Sequence, residues 1–335
     1  MNILGIETSC DETSASIVRD GREVLSNVVA TSLKEHQKFG GIIPEIASRK
    51  QLEYINIVTA KALEDAGLTL ADIDAVAVTQ KPGLIGSLLV GITFAHSLGY
   101  ALKKPVVDVN HVHAHIYANY LVSRGAARFA TVYDELALPA VGLAVSGGHS
   151  TLFSIKDFRN FKVIGQTRDD AAGEAYDKVG RILGLEYPGG PVIDRMAHEA
   201  EATHTAGVVP RSVTFPRAEL AGTHDFSFSG VKTAVLYYVR KHAGAKDYSV
   251  AQVARGFQES VVSVLAEKSI QACLKRKCRT LLVGGGVAAN RGLRARLHSL
   301  AQGTGINVNF PSLDLCMDNA AMVAGFAYVA SRYSH

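Results

Sequence analysis

Apolar and polar positions along the chain fall into two runs of one pattern. Alternating apolar residues predict strands at 3–6, 14–18 and 23–29. The first two are separated by the polar stretch Glu7-Thr8-Ser9-Cys10-Asp11-Glu12-Thr13, the next two by the turn signal Asp20-Gly21. Helical periodicity over 54–66 stops at Gly67. A strand at 75–79 ends in Lys81-Pro82-Gly83 and leads into an apolar helix over 84–102. His96 and several glycines interrupt that helix, which predicts a buried core element rather than a membrane span. A strand at 105–109 follows. The order then returns, with strands at 139–145, 151–155 and 161–166 and a helix ending at 183. A strand at 280–283 closes in Gly284-Gly285-Gly286, and a helix begins near Asn290. The repeat is one of whole lobes, with no shorter period. It predicts two similar α/β lobes around a central cleft, where such proteins hold a phosphate. Residues 196–223, polar and His-rich, predict a surface insertion, and 121–134 a loop or short helix at the lobe junction.

A chain of 335 residues that is 47% hydrophobic and 20% charged can bury a sizeable core as one bilobal unit or two domains. Its four cysteines form no C-x-x-C pair, which predicts reduced thiols in a cytoplasmic protein. Glu7, Asp11 and Glu12 break the first apolar run too early for a signal peptide. The net charge of +4 is compatible with RNA binding but too small to indicate it.

Chemistry concentrates in Asn110-His111-Val112-His113-Ala114-His115. A helix starting near His111 places His111 and His115 one turn apart on one face, where two imidazoles can converge on a metal ion. His113 points elsewhere. A helix start with surface histidines and one core histidine fits the same spacing, so both readings stay open. The second residue is Val112, which removes the base of an H-E-x-x-H metalloprotease. There is no Walker A sequence and no G-x-G-x-x-G after a strand. Ser146-Gly147-Gly148 reads as a tight hairpin or as backbone N–H groups turned toward an anion. Three glycines at 284–286 weaken a strand end unless a ligand base or ribose packs on the backbone. Asp169, Asp170, Glu174 and Asp177 form an acidic helix start, and Pro188-Gly189-Gly190-Pro191 reads as a restricted turn. Asp318, close after Cys316, reads on its own as a helix N-cap.

Several of these stretches occur in order with others. They are Gly5-Ile6-Glu7-Thr8-Ser9-Cys10-Asp11-Glu12-Thr13, His111-x-x-x-His115, Ser146-Gly147-Gly148-His149 and the run from Asp169 to Pro191. Asp225-Phe226-Ser227-Phe228-Ser229-Gly230, Gly284-Gly285-Gly286-Val287-Ala288-Ala289-Asn290 and Cys316-Met317-Asp318-Asn319 complete the set. Together they resemble the bacterial tRNA N(6)-adenosine threonylcarbamoyltransferase family over essentially the whole chain. The resemblance implies the fold of the actin, sugar-kinase and heat-shock ATPase superfamily, two α/β lobes around a central nucleotide cleft. It implies an N-terminal lobe over 1–108, onto which a helix over 319–335 packs back, and a C-terminal lobe over 109–318 carrying the metal and adenylate sites.

The resemblance further implies that His111, His115 and Asp318 hold one divalent metal ion, iron(II) or zinc. Ala144, Val145, Ser146, Gly147, Gly148, Asp177, Gly190, Asp194 and Asn290 would bind the substrate threonylcarbamoyl-AMP, with Gly284, Gly285 and Gly286 on the adenine side. The acceptor would be the 6-amino group of the adenosine 3′ of the anticodon, in tRNAs reading codons that begin with A, and AMP would leave. Asp11 and Glu12 are the candidates for proton removal; as a bare motif they read equally as a solvated acidic turn. The implied partners are tRNA, a TsaB-like paralogue of the same fold and a small TsaE-like ATPase, with a homodimer in the absence of the paralogue and no membrane. Three positions depart from the family pattern. His113 stands where Glu is usual, Gln51 where His is common, and Met317 where a small hydroxyl residue flanks the metal aspartate. Rival readings are a small-molecule kinase of this fold and an actin-like ATP-dependent scaffold.

Overall fold

Two β-sheets carry the architecture, and they repeat one strand order. The computed structural model describes residues 1–123, 137–205, 213–218, 220, 222–245 and 248–332. In chain order the elements are β1 (Asn2–Glu7), β2 (Glu12–Arg19), β3 (Glu23–Thr31), α1 (Leu33–Gln37), α2 (Pro44–Ala66), β4 (Ala75–Lys81), α3 (Ile85–Leu102), β5 (Val106–Asn110), α4 (His111–Tyr117) and β6 (Val122–Ser123). There follow β7 (Ala140–Val145), β8 (Ser150–Ile155), β9 (Phe161–Gln166), α5 (Ala172–Ile182), α6 (Gly189–Thr205), α7 (Ser229–His242) and α8 (Val250–Arg276). The chain closes with β10 (Thr280–Gly284), α9 (Arg291–Ala301), β11 (Asn307–Asn309) and α10 (Ala320–Arg332). The first sheet runs β5-β4-β1-β2-β3-β6 and the second β11-β10-β7-β8-β9. In each, a meander of three antiparallel strands is extended by strands added in parallel after helical crossovers. This is the duplicated pattern of alternation read in the sequence.

The chain separates into a unit of 1–137, 157–160 and 310–335 and a unit of 138–156 and 161–309. The expected divisions at 108/109 and 318/319 therefore move. The physical reason is that α4 directly continues β5 of the first sheet, β6 pairs with β3, and α10 packs on β1 and α4. The segment with the paired histidines thus belongs to the first unit. Residues 124–134 of the expected junction, and 206–212, 219 and 221 of the expected insertion, lie outside the described residues; 196–205 is the end of α6.

In the first unit one face of the sheet buries Leu4, Ile6, Ile17, Val76 and Val78 against Ile55 and Val58 of α2. Each such side chain removed from water contributes roughly 1.5–3 kcal/mol. Helix α2 begins ten residues before its expected start, with Pro44 at its first position, where no N–H is needed, and ends in a left-handed cap at Gly67 (φ +68°). Helix α3 is the reverse of the expected buried helix. Its small residues Ser87, Gly91, Ala95 and Gly99 face inward, while Ile85 (77% exposed), Leu89 and Tyr100 (89%) face out. Close approach sets this choice: a Cβ at Gly91 would sit 2.2 Å from Thr8 Oγ1, and one at Gly99 2.3 Å from Val106 Cγ2. In length and composition α3 alone among the described helices would suffice to cross a membrane.

Candidate functional site

Asn110 starts α4 by accepting the N–H groups of Val112 (3.0 Å) and His113 (3.1 Å) on its side-chain oxygen. The helix therefore begins at His111, and His111 and His115 share one face, ring centroids 4.6 Å apart. Asp318 arrives from just before α10. Its Oδ1 lies 3.1 Å from His115 Nε2 and 3.6 Å from His111 Nε2. Capping of α10 falls to Asn319, whose Oδ1 accepts the Met322 N–H at 3.0 Å, so the expected N-cap role of Asp318 is filled by its neighbour. Among the described residues these three form the one cluster whose donor atoms lie within 4.8 Å of one another.

The donor set fits a divalent ion. Both ring nitrogens of His115 are buried and lack a well-directed hydrogen bond, Nε2 having only the Asp318 carboxylate beside it, and a metal ion shared between that nitrogen and the carboxylate would satisfy both. The other histidine is oriented from behind: His111 Nδ1 lies 3.0 Å from Glu7 Oε2 and 3.2 Å from Ser9 Oγ. Donation from Nδ1–H to the carboxylate turns Nε2 toward Asp318, the orientation that metal-ligating histidines use, and a metal ion would replace any proton on Nε2. Burial pulls the His111 imidazole down, but the Asp318 and Glu7 carboxylates outweigh it and hold it up at about 9. His113 lies outside the cluster. It meets the edge of the Phe326 ring, and burial pushes it down to about 4.

The polar stretch after β1 lies beside this cluster. Burial pushes the Glu12 carboxyl well above the usual carboxylate range, and the Asp11 and Asp318 carboxylates push it further. Burial likewise raises the Cys10 thiol, with Asp11, Asp318 and Glu12 adding to the shift. Asp11 and Glu12 thus share a field with the metal-type donors. Glu7, Ser9 and Gln51 have no site role assigned from the sequence; Glu7 and Ser9 lie inside the motif at 5–13 and Gln51 is a departure from the family pattern, but neither signal specifies a contact.

The expected adenylate residues all lie in the second unit. Ser146 closes the turn between β7 and β8: its N–H bonds His149 O at 2.8 Å, and its Oγ accepts the His149 N–H at 3.2 Å. Gly147 and Gly148 are exposed, and a Cβ on either would meet nothing within 4 Å. Space above this turn is open, as an anion seat requires. Ala144 and Val145 are buried β7 residues. Asp177 Oδ1 accepts the Gly189 N–H at 2.8 Å, so Pro188-Gly189-Gly190-Pro191 opens α6 instead of forming a free turn. Gly189 is pressed against α5, whereas a Cβ on Gly190 would find only Tyr176 Cβ at 3.9 Å. Asp194 accepts the Arg291 N–H at 3.2 Å. Asn290 caps α9 through Leu293 N–H (2.8 Å) and donates Nδ2 to Gln258 Oε1 (2.8 Å). Gly285, at φ +95°, would place a Cβ 2.3 Å from Val145 O. Its glycine is required by strand β7 itself, whatever lies beyond it.

Two sheets of one strand order define the duplicated α/β fold expected from the sequence, here with a His–His–Asp donor set. Solved structures agree on the fold. Component A of the Acidaminococcus fermentans (R)-2-hydroxyglutaryl-CoA dehydratase matches at TM-score 0.54 and 14% identity over 99% of both chains. Full-length HypF, in a phosphate- and nucleotide-bound form, matches at TM-score 0.60 and 14% identity over 99% of this chain and 46% of its own. The chain belongs to the tRNA N6-adenosine threonylcarbamoyltransferase family, whose profile matches residues 23–325. A Clostridium botulinum (strain 657 / Type Ba4) protein of that name is 48% identical over 98% of this chain and 92% of its own. One from Geobacillus kaustophilus (strain HTA426) is 50% identical over 96% and 89%.

Proposed function

We propose that this chain transfers the threonylcarbamoyl group of threonylcarbamoyl-AMP to the 6-amino group of the adenosine 3′ of the anticodon, in tRNAs reading codons that begin with A. The observation that carries this reading is near-complete coverage by relatives of that name, in a chain whose His111, His115 and Asp318 converge. The amine is a poor nucleophile because its lone pair is delocalised into the purine. The mixed anhydride is a reactive acyl donor. The new bond joins the amine nitrogen to the carbonyl carbon, the carbonyl carbon–phosphate oxygen bond breaks, and AMP departs. The amine proton goes to the Asp11 or Glu12 carboxylate, and fixed geometry supplies much of the rate.

In this reading the open turn at Ser146, Gly147 and Gly148, with Ala144, Val145, Asp177, Gly190, Asp194 and Asn290, binds the adenylate, and Gly284, Gly285 and Gly286 form its adenine-side wall. His111, His115 and Asp318 would hold one iron(II) or zinc ion, which supplies charge stabilisation to substrate oxygens when bound. Glu7 orients His111. The partners are tRNA, a TsaB-like paralogue and a TsaE-like ATPase, and the chain works in the cytoplasm, away from membranes. The apolar outer side of α3, with Ile85, Leu89 and Tyr100, is the surface we assign to the paralogue, or to a second copy of this chain when the paralogue is absent. The test is incorporation of labelled threonine into unmodified tRNA by the chain with both partners and threonylcarbamoyl-AMP. Product from the parent and none from Asp318→Ala supports the reading. Turnover of ATP on small hydroxyl compounds without tRNA would replace it with a kinase.

A further inference from the structure

Residues 8–12 carry the two carboxyls, and each of their backbone carbonyls is taken by a donor from elsewhere in the first unit. Gln51 of α2, 1% exposed, directs Nε2 at three of them: Thr8 O (3.2 Å), Cys10 O (2.9 Å) and Glu12 O (3.2 Å). Ser87 Oγ adds a second donor to Cys10 O at 3.2 Å, and Leu84 N–H bonds Ser9 O at 2.8 Å. Asp11 O accepts from Ser32 twice, from its N–H at 3.2 Å and its Oγ at 2.9 Å. Ser32 is backed by the buried His36. His36 Nδ1 accepts the Ile43 N–H at 3.2 Å, which fixes the tautomer, and its Nε2–H donates to Ser32 Oγ at 3.0 Å. The serine hydroxyl proton is thereby directed to Asp11 O.

We propose that Gln51, with the Ser32–His36 pair, is a positioning residue for the transfer reaction. It fixes the backbone of residues 8–12 so that Asp11 and Glu12 present their carboxyls in one orientation. This rests on the reading of those carboxyls as the proton acceptors. An amide nitrogen has two hydrogens, so the three carbonyls must share them, with Cys10 O at 2.9 Å the shortest contact, and this gathering of carbonyls on one nitrogen is a convergence that packing alone does not ask for. The opposite end of the same group argues further. Gln51 Oε1 is buried without a hydrogen bond among the described residues, so the loop dictates the amide orientation against the residue's own stability. An apolar side chain of that size would avoid the unpaired oxygen. Natural chains keep such local violations where a site needs them. The same backbone also bears Ser9, whose Oγ reaches His111 Nδ1, so one fixed loop sets both the acids and a metal-type donor.

The experiment uses the full chain with both partners and compares Gln51→Leu, which removes the donor, with Gln51→His, which keeps a ring N–H, and with Ser32→Ala. Readouts are kcat and KM for threonylcarbamoyl-AMP, metal content, and thermal protection by AMP. Gln51→Leu should lose roughly 10- to 100-fold in kcat, the scale of a small misplacement of reacting groups. Its KM, metal content and AMP protection should match the parent, and Gln51→His should recover most of the rate. Ser32→Ala should lose kcat in the same direction with KM unchanged. Gln51→Leu with kcat within twofold of the parent overturns the proposal, as does a parallel loss of kcat, metal and AMP protection. If Gln51→Leu is insoluble, an unchanged kcat in Ser32→Ala overturns it and a selective kcat loss there supports it. A parent that transfers nothing overturns the functional reading, and this inference with it; an active parent matched by Gln51→Leu overturns this inference alone.

Discussion

Glu7 and His111 stand 104 residues apart in the chain, and their side chains meet at 3.0 Å inside the first unit. The carboxylate is wholly buried. Burial pushes it up, but His111 and the Thr79 hydroxyl outweigh that and hold it below the usual carboxylate range. Removing its charge should loosen His111 without touching any donor atom of the cluster. Glu7→Gln is expected to weaken metal binding roughly 10- to 100-fold, the usual effect of losing such a supporting carboxylate. Competition titration against a chelator measures it; His113→Ala is the control and should bind as the parent does. Equal affinity in Glu7→Gln and parent would deny Glu7 this role.

The open turn and the crowded one give opposite expectations for nucleotide binding. Gly148→Val places its side chain where the fold has nothing within 4 Å, so the free protein should melt close to the parent while thermal protection by AMP is lost. Gly285→Val should instead lower the melting temperature of the free protein, because of the positive φ and the Val145 backbone. A thermal shift series with and without AMP separates the two. Undiminished protection in Gly148→Val would take the turn out of the site.

Asp169 gives a pH prediction. Burial pushes its carboxyl up, but the Ser227 and Ser229 hydroxyls and the Phe228 and Ser229 N–H groups outweigh this and hold it below the usual range. A carboxyl depressed in the folded state adds stability above its unfolded value, about 3.9, and that stability is lost as pH falls through the folded value. Asp169→Asn should cost about 1 kcal/mol at neutral pH, discounted because the residue is exposed. The gap to the parent should close below about pH 4. Urea unfolding at a series of pH values checks it, and a gap that widens in acid would contradict it.

The chain alone should transfer little, and adding the TsaB-like and TsaE-like proteins with ATP should restore repeated turnover. A net charge of only +4 predicts weak RNA binding with a shallow salt dependence. Labelled threonine in tRNA, followed with and without the partners at physiological salt, decides the matter. Rapid multiple turnover by the chain alone would make it self-sufficient.

Strands declare themselves by alternation, and Asn110 before His111 is a legible helix start; the duplicated sheet and the histidine pair could be read on those grounds. The early part of α2 could not, because its inward positions include Ala47 and Gln51 while Glu45, Arg49 and Lys50 point outward, so no apolar stripe appears. Helix α3 misleads for the opposite reason: its inward positions are small and its large apolar residues face out. Pro188-Gly189-Gly190-Pro191 looks like a turn, yet Pro191 sits in the first turn of α6, where its missing N–H costs nothing. The positions of Glu7 and Gln51 stand out in the sequence, but their roles could not be read there, since those roles exist only once β1, α2 and α4 are side by side.

His111 and His115 precede the whole second unit, while Asp318 follows it. During synthesis the ribosome therefore makes both imidazole donors early and the carboxylate donor near the finish. The three donors can come together only late in the life of the nascent chain. Any product abandoned before residue 318 emerges lacks the third donor, so the whole cluster exists only in chains translated past that point.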